Sequence, residues 1–212
     1  MRRRSWWTGV LVFALAFAAV AAPAMAKKEE VLREFEASAS GKTKGEGVGV
    51  QEFKFKPYTI KCTEAPSSGE VTEGKFNALV DKVKLGGCSY GRKAEAKVTP
   101  IEFEFLSNGT FKILNEVKFT LVASKCTIVL EPQTVGEEES RHKNVSYSDR
   151  GSEAGKELEI KTSVKTTEHG ESGGIAYEFG GICEKFEEPS GEGGKYKGSL
   201  LDELEKGTLG VS

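Results

Sequence analysis

Apolar and charged residues alternate along most of this chain, and a period of two leaves it little choice but β-sheet. Ile101, Phe103 and Phe105 are separated by Glu102 and Glu104. Phe111 and Ile113 follow, then Val117, Phe119, Leu121 and Ala123, all on odd positions. Leu158, Ile160, Thr162 and Val164 alternate with Glu and Lys, and Ile175, Tyr177 and Phe179 repeat the pattern. Successive side chains of a strand point to opposite faces, so this spacing puts one face in a core and the other in water. Helical period is nearly absent. Val31–Glu36 and Leu200–Glu205 are the two short stretches that would admit a helix. The expected fold is all-β, an antiparallel β-sandwich or flattened barrel.

One hairpin can be read to the residue. A three-residue loop, Ser107-Asn108-Gly109, pairs Phe105 with Phe111 and Phe103 with Ile113, and sets Glu104 opposite Lys112 on the outer face. That register predicts a type I turn with Gly109 left-handed in a G1 bulge. Upstream, Phe76, Ala78 and Val80 alternate, the phase slips at Asp81-Lys82, and it resumes at Val83 and Leu85. This slip reads as a β-bulge.

Four cysteines organise the chain into halves of approximately 47–115 and 116–212. Lys54-Phe55 and Lys61-Cys62-Thr63 recur 64 residues later as Lys118-Phe119 and Lys125-Cys126-Thr127. Each string is followed by a strand ending in Gly-Gly and a cysteine, at Cys88 and at Cys183. Either a duplication or chance similarity between Lys- and Gly-rich strands accounts for this. Four cysteines allow three pairings. The pseudo-repeat favours Cys62–Cys88 with Cys126–Cys183, one bridge per half. Cys62–Cys126 with Cys88–Cys183 would instead staple the halves together. The second half carries a charged insert, Glu131 to Lys156, read as an exposed loop around a short strand at Val145–Tyr147.

The N-terminus has the grammar of a secretory signal. Arg2, Arg3 and Arg4 precede the apolar run Val10–Ala22, and Ala24-Met25-Ala26 is a small-x-small cleavage site. Residues 1–26 are therefore expected to be removed, residues 27–46 to be mobile, and 47–212 to form the β domain. Cleavage would take Lys+Arg from 30 to 27 against 32 acids, about −5 in place of −2, and would remove both tryptophans. A mildly acidic chain is a poor partner for nucleic acid or an anionic membrane. No later segment is apolar enough for stable membrane insertion after signal removal. The expected location is outside the cell or in its envelope, where disulfides form.

The strings that suggest chemistry lack its context. Gly170-Glu171-Ser172-Gly173-Gly174 is similar to the segment around the nucleophile of trypsin-like serine proteases. Neither His142 nor His169 has the surroundings of a triad base, so the string reads as a hairpin loop joining Leu158–Val164 to Ile175–Phe179. Glu102/Glu104 and Glu157/Glu159 read as solvated strand faces, since a catalytic acid needs partial burial. The acidic runs Glu137–Glu139 and Glu187–Glu192 lack the spacing of a calcium loop. Zinc finds no C-x-x-C pair. Tyr58, Tyr90, Tyr147 and Tyr196 form the only plausible sugar-stacking platform. Asn108 and Asn144 begin N-x-[ST] sequons, incidental if the Ala-rich signal is bacterial. No catalytic residue, cofactor-binding residue, cofactor or metal ligand is assigned, and the four cysteines are the site residues.

The segment Phe53–Cys62, with the Lys-Cys-Thr and Gly-Gly-Cys strings, resembles an uncharacterised group of secreted, β-rich actinobacterial proteins. The resemblance implies secretion and an all-β fold, and it transfers no residue roles. The expected function is that of an exported, non-catalytic binding or structural module with an envelope, polysaccharide or protein partner. Two other readings remain: a secreted hydrolase whose carboxylates meet only in three dimensions, and a lipocalin-like carrier if the sheet closes around an apolar cavity.

Overall fold

A computed structural model of the chain describes residues 34–136, 144–150, 157–164, 174–185 and 190–212, all within one compact unit. The strands in chain order are β1 (Phe35–Ala37), β2 (Gly41–Gly47), β3 (Gln51–Phe55), β4 (Tyr58–Cys62), β5 (Ser67–Val71), β6 (Gly74–Phe76) and β7 (Ala78–Val83). Next come β8 (Ser89–Tyr90), β9 (Ala94–Val98), β10 (Ile101–Leu106), β11 (Phe111–Ile113), β12 (Val117–Leu121), β13 (Cys126–Leu130) and β14 (Gln133–Val135). The last are β15 (Val145–Arg150), β16 (Glu157–Ser163), β17 (Ile175–Gly181), β18 (Ser190–Leu204) and β19 (Leu209–Val211), with a 3-10 turn at Ile182–Lys185. Among the described residues there is no α-helix, and no helix is long and apolar enough to cross a membrane.

The fold is all-β, and its centre is a closed antiparallel barrel. Its strands run in the order β3-β4-β8-β9-β12-β13-β17-β18, and β18 pairs back onto β3 through Tyr196–Phe53 and its neighbours. Each half of the chain contributes four of these strands and one disulfide, Cys62–Cys88 and Cys126–Cys183. The barrel's interior is filled by rings. Phe119 lies 5.0 Å from Phe53 and 5.1 Å from Phe55, and Phe55 lies 5.1 Å from Tyr177.

A second sheet grows from the same long strand. Beyond the barrel, the C-terminal part of β18 is flanked by β16 and β2. From β2 the sheet continues through β5, β7, β10, β11 and β14, and from β16 it continues to β15. Tyr196, on β18, joins the two cores: its ring stacks on Phe53 at 4.5 Å and on Phe103 at 5.7 Å. β1, β6 and β19 form a separate three-stranded sheet, and Phe35 of β1 meets Tyr147 of β15 edge-on at 4.8 Å.

The β10–β11 hairpin has the register its sequence predicts, Phe105 opposite Phe111 and Phe103 opposite Ile113. Lys112 reaches Glu104 at 2.6 Å, and Gly109 has φ +88°. That backbone favours glycine, which has no Cβ to clash.

Several expectations are corrected. There is no bulge at Asp81-Lys82: β7 pairs with β10 without interruption from Ala78 to Val83. Leu79, Asp81 and Val83 share the inward face, while Val80 is exposed. The expected mobile segment 27–46 overlaps two strands, for β1 begins at Phe35 and β2 at Gly41. On β2, Gly and Thr alternate with Lys and Glu, a strand pattern whose inward side chains are small rather than apolar. β16 and β17 are not a hairpin; both pair with β18, at different levels, and the loop 165–173 lies outside the described residues. Of the two stretches that admitted a helix, Phe35–Glu36 and Leu200–Leu204 are strand.

Candidate functional site

Two places in the molecule gather polar groups in a way the sequence does not announce. The first is inside the second sheet. Asp81 on β7 and Asp202 on β18 are both fully buried, together with Thr43 on β2 and Ser67 on β5. The registers explain the meeting. Asp202 is opposite Gly45 and Gly45 is opposite Ser67, while Thr43 is opposite Gly69 and Gly69 is opposite Asp81. The two glycines leave the space that the carboxyls occupy. A methyl at Gly69 would stand 2.9 Å from both Asp81 Oδ1 and Thr43 Oγ1, and one at Gly45 would overlap Asp202 Oδ1 and Ser67 Oγ.

Ser67 donates to Asp202 Oδ1 at 2.5 Å. With both acids ionised, Thr43 Oγ1, both Asp81 oxygens and Asp202 Oδ2 are buried without a hydrogen-bond partner. An isolated buried carboxylate is very costly, so such a group neutralises. Burial raises Asp81 well above the usual carboxylate range; the Asp202 charge and a hydrogen bond to it add to the rise, and Thr43 opposes it. Burial also raises Asp202, against hydrogen bonds from Ser67 and Asp81. No solvent path or substrate can be drawn to carboxyls with no exposed surface, so the pair is not placed for catalysis on a polymer.

The second place is on the outer surface. The turn between β2 and β3 lays Val48 (38% exposed) and Val50 (50% exposed) beside β16 and β18. They edge a groove of about 420 Å³ whose floor is Ser163, Gly198 and Ser199 and whose rim carries Lys161 and Lys197. Among the described residues its lining contains no acid. Two other grooves mix charges: a larger one of about 630 Å³ sets Glu70, Glu102 and Glu205 among lysines, and one of about 370 Å³ has Glu46, Glu157 and Glu203.

The residues weighed from sequence fall as follows. Glu102 pairs with Lys82 at 3.2 Å, an outer-face ion pair like Glu104–Lys112. Glu159 is covered, bound at 2.8 Å by both Arg150 and Lys161. Burial pushes its pKa up, but Lys161, Arg150 and Ser148 outweigh this and hold it below the ordinary glutamate value. Tyr147 and Tyr196 are interior and make no stacking platform; Tyr58 and Tyr90 are half-buried. Tyr196 donates to Gln51 Oε1 at 2.8 Å, and Tyr147 donates to the Leu106 carbonyl at 2.7 Å. Asn144 is buried, and Asn108 Oδ1 accepts from Thr110. His142, His169, Ser172 and the acidic runs lie outside the described side chains. Among the described residues no cluster of three metal-ligating side chains occurs.

No protein-family model, curated protein or solved structure matches the chain.

Proposed function

We propose that the chain is exported by its N-terminal segment and works as a non-catalytic binding module of the cell envelope or medium, with an acidic polysaccharide as ligand. The observation that carries this reading is the groove at Val48 and Val50. On a chain with net charge −2, its lining among the described residues holds no acid and two lysines, Lys197 and the Glu159-paired Lys161. Small hydroxyl-bearing residues on its floor let a sugar ring approach the backbone closely, and the two valines offer an apolar edge to a ring face. Lysines at such a rim act mainly by steering an anionic partner, an effect that salt screens. The two disulfides agree with an oxidising compartment. The aromatic packing of the barrel speaks against a carrier, and the sealed position of the converging acids speaks against a hydrolase.

The test is co-sedimentation of the oxidised protein with uronic-acid-containing and neutral insoluble polysaccharides. Saturable pelleting with the acidic polymer, weakened by salt and by Lys197→Glu, is the expected result. Equal pelleting with the neutral polymer, or none with either, would remove this ligand class.

A further inference from the structure

Asp81 and Asp202 face one another in an interior that offers no base. Their register neighbours are uncharged: Gly69 and Phe103 beside Asp81, Gly45 and Leu158 beside Asp202. On β2 and β5 the inward groups are Thr43, Gly45, Ser67 and Gly69; on β7 and β18 they include Leu79, Val83, Leu200 and Leu204. Lys42, Lys44 and Lys82 belong to the same strands but are exposed on the opposite face. The third buried acid among the described residues, Glu159, points outward to Arg150 and Lys161. The buried phenols Tyr147 and Tyr196 have their own acceptors, and burial raises both above the ordinary tyrosine value.

We propose that Asp81 and Asp202 form a proton-binding site, holding one proton between them at neutral pH, and that its release loosens the seam of β18, β2, β5 and β7. One proton completes the hydrogen bonding without any other atom. Asp81 as the acid donates to Asp202 Oδ2, Ser67 donates to Asp202 Oδ1, and Thr43 is free to donate to the remaining Asp81 oxygen. Asp81 is the member that carries the proton, because Asp202 already has a donor in Ser67 and Asp81 has none as strong. A hard divalent cation would also neutralise two carboxylates. It would require several further oxygen ligands; Thr43 and Ser67 offer two hydroxyls, and the remaining register neighbours are two glycines, Phe103 and Leu158.

The direction of the pH effect follows from linkage. A carboxyl whose pKa is raised by folding contributes stability that is fully present below its unfolded value, about 3.9, and is lost as pH rises towards the folded value. Over that window a single proton changes the folding equilibrium constant about tenfold per pH unit. Asp81→Asn keeps a donor towards Asp202 and removes the titration. Denaturant unfolding of the full oxidised chain between pH 5 and 9 should show this extra slope in the parent, and Asp81→Asn should lack it. Equal slopes in the two proteins would overturn the proposal. If Asp81→Asn does not fold, carboxyl carbon NMR of the parent decides the matter: one aspartic acid still protonated at pH 7 is expected, and ionisation of every aspartate below pH 5 would overturn it. Calcium or magnesium that raises the parent's midpoint at pH 8, with the effect lost in Asp81→Asn, would also overturn it in favour of a cation.

Discussion

At the residue scale, several side chains sit where polarity and burial compete, and the outcome of each competition can be measured. Tyr196 has an apolar ring between two cores and a hydroxyl given to Gln51, whose Nε2 in turn donates to the Ser199 carbonyl at 3.0 Å. Tyr196→Phe keeps the stacking and strands the Gln51 acceptor, which should cost about 1–3 kcal/mol in denaturant unfolding. Gly69→Ala introduces a methyl against the Val80 carbonyl, Asp81 and Thr43. Overpacking of that kind should cost about 1–3 kcal/mol by the same measurement. Asp81 also marks the limit of what pattern reading can do. The phase of Val83 and Leu85 places it inward, but the phase of Phe76, Ala78 and Val80 places it outward, so the sequence reads as a slip between the two. Its partner lies 121 positions downstream, and nothing local to either residue signals the other.

At the element scale, what was legible is what neighbours in sequence decide. The β10–β11 hairpin is set by its turn residues and its alternating faces. The cysteine pairing follows the half-chain pattern. β16 and β17 do not pair with each other because both pair, at different levels, with β18, a strand drawn from much later in the chain. β2 was missed because its inward residues are glycine and threonine, small enough to admit the acid pair but silent in a hydrophobic pattern. The surface groove was equally hidden, since Val48, Lys161 and Lys197 come from three separated segments. The disulfides give a prediction at this scale. Their sequence separations are 26 for Cys62–Cys88 and 57 for Cys126–Cys183. In the loop-entropy model these correspond to about 3.5 and about 4 kcal/mol. Paired Cys→Ala variants should therefore both be destabilised in chemical unfolding, the Cys126/Cys183 variant slightly more.

At the scale of the whole molecule, the titrating groups oppose one another across the pH range. Glu52 is held below the ordinary glutamate value: the hydrogen bond from Lys54 outweighs burial, and Lys61 assists. Glu159 is likewise lowered. Groups of this sign contribute stability above their unfolded pKa, about 4.3, and lose it as pH falls through their folded values. Asp81 and Asp202 carry the reverse sign. Thermal unfolding across pH should consequently show a maximum in mildly acidic solution, falling on both sides; a plateau extending to pH 9 would contradict the buried pair's part in it.

β18 has one more consequence, and it concerns the order in which the chain becomes available. This strand is completed at Leu204 of 212 residues, and it closes the barrel against β3 while joining β16 to β2. A polypeptide emerging from its N-terminus can form hairpins such as β3–β4 and β10–β11, but neither core can be sealed until β18 arrives. If the chain is exported as proposed, β18 would reach the far side after every other strand except β19, and the closure of both cores would wait for it.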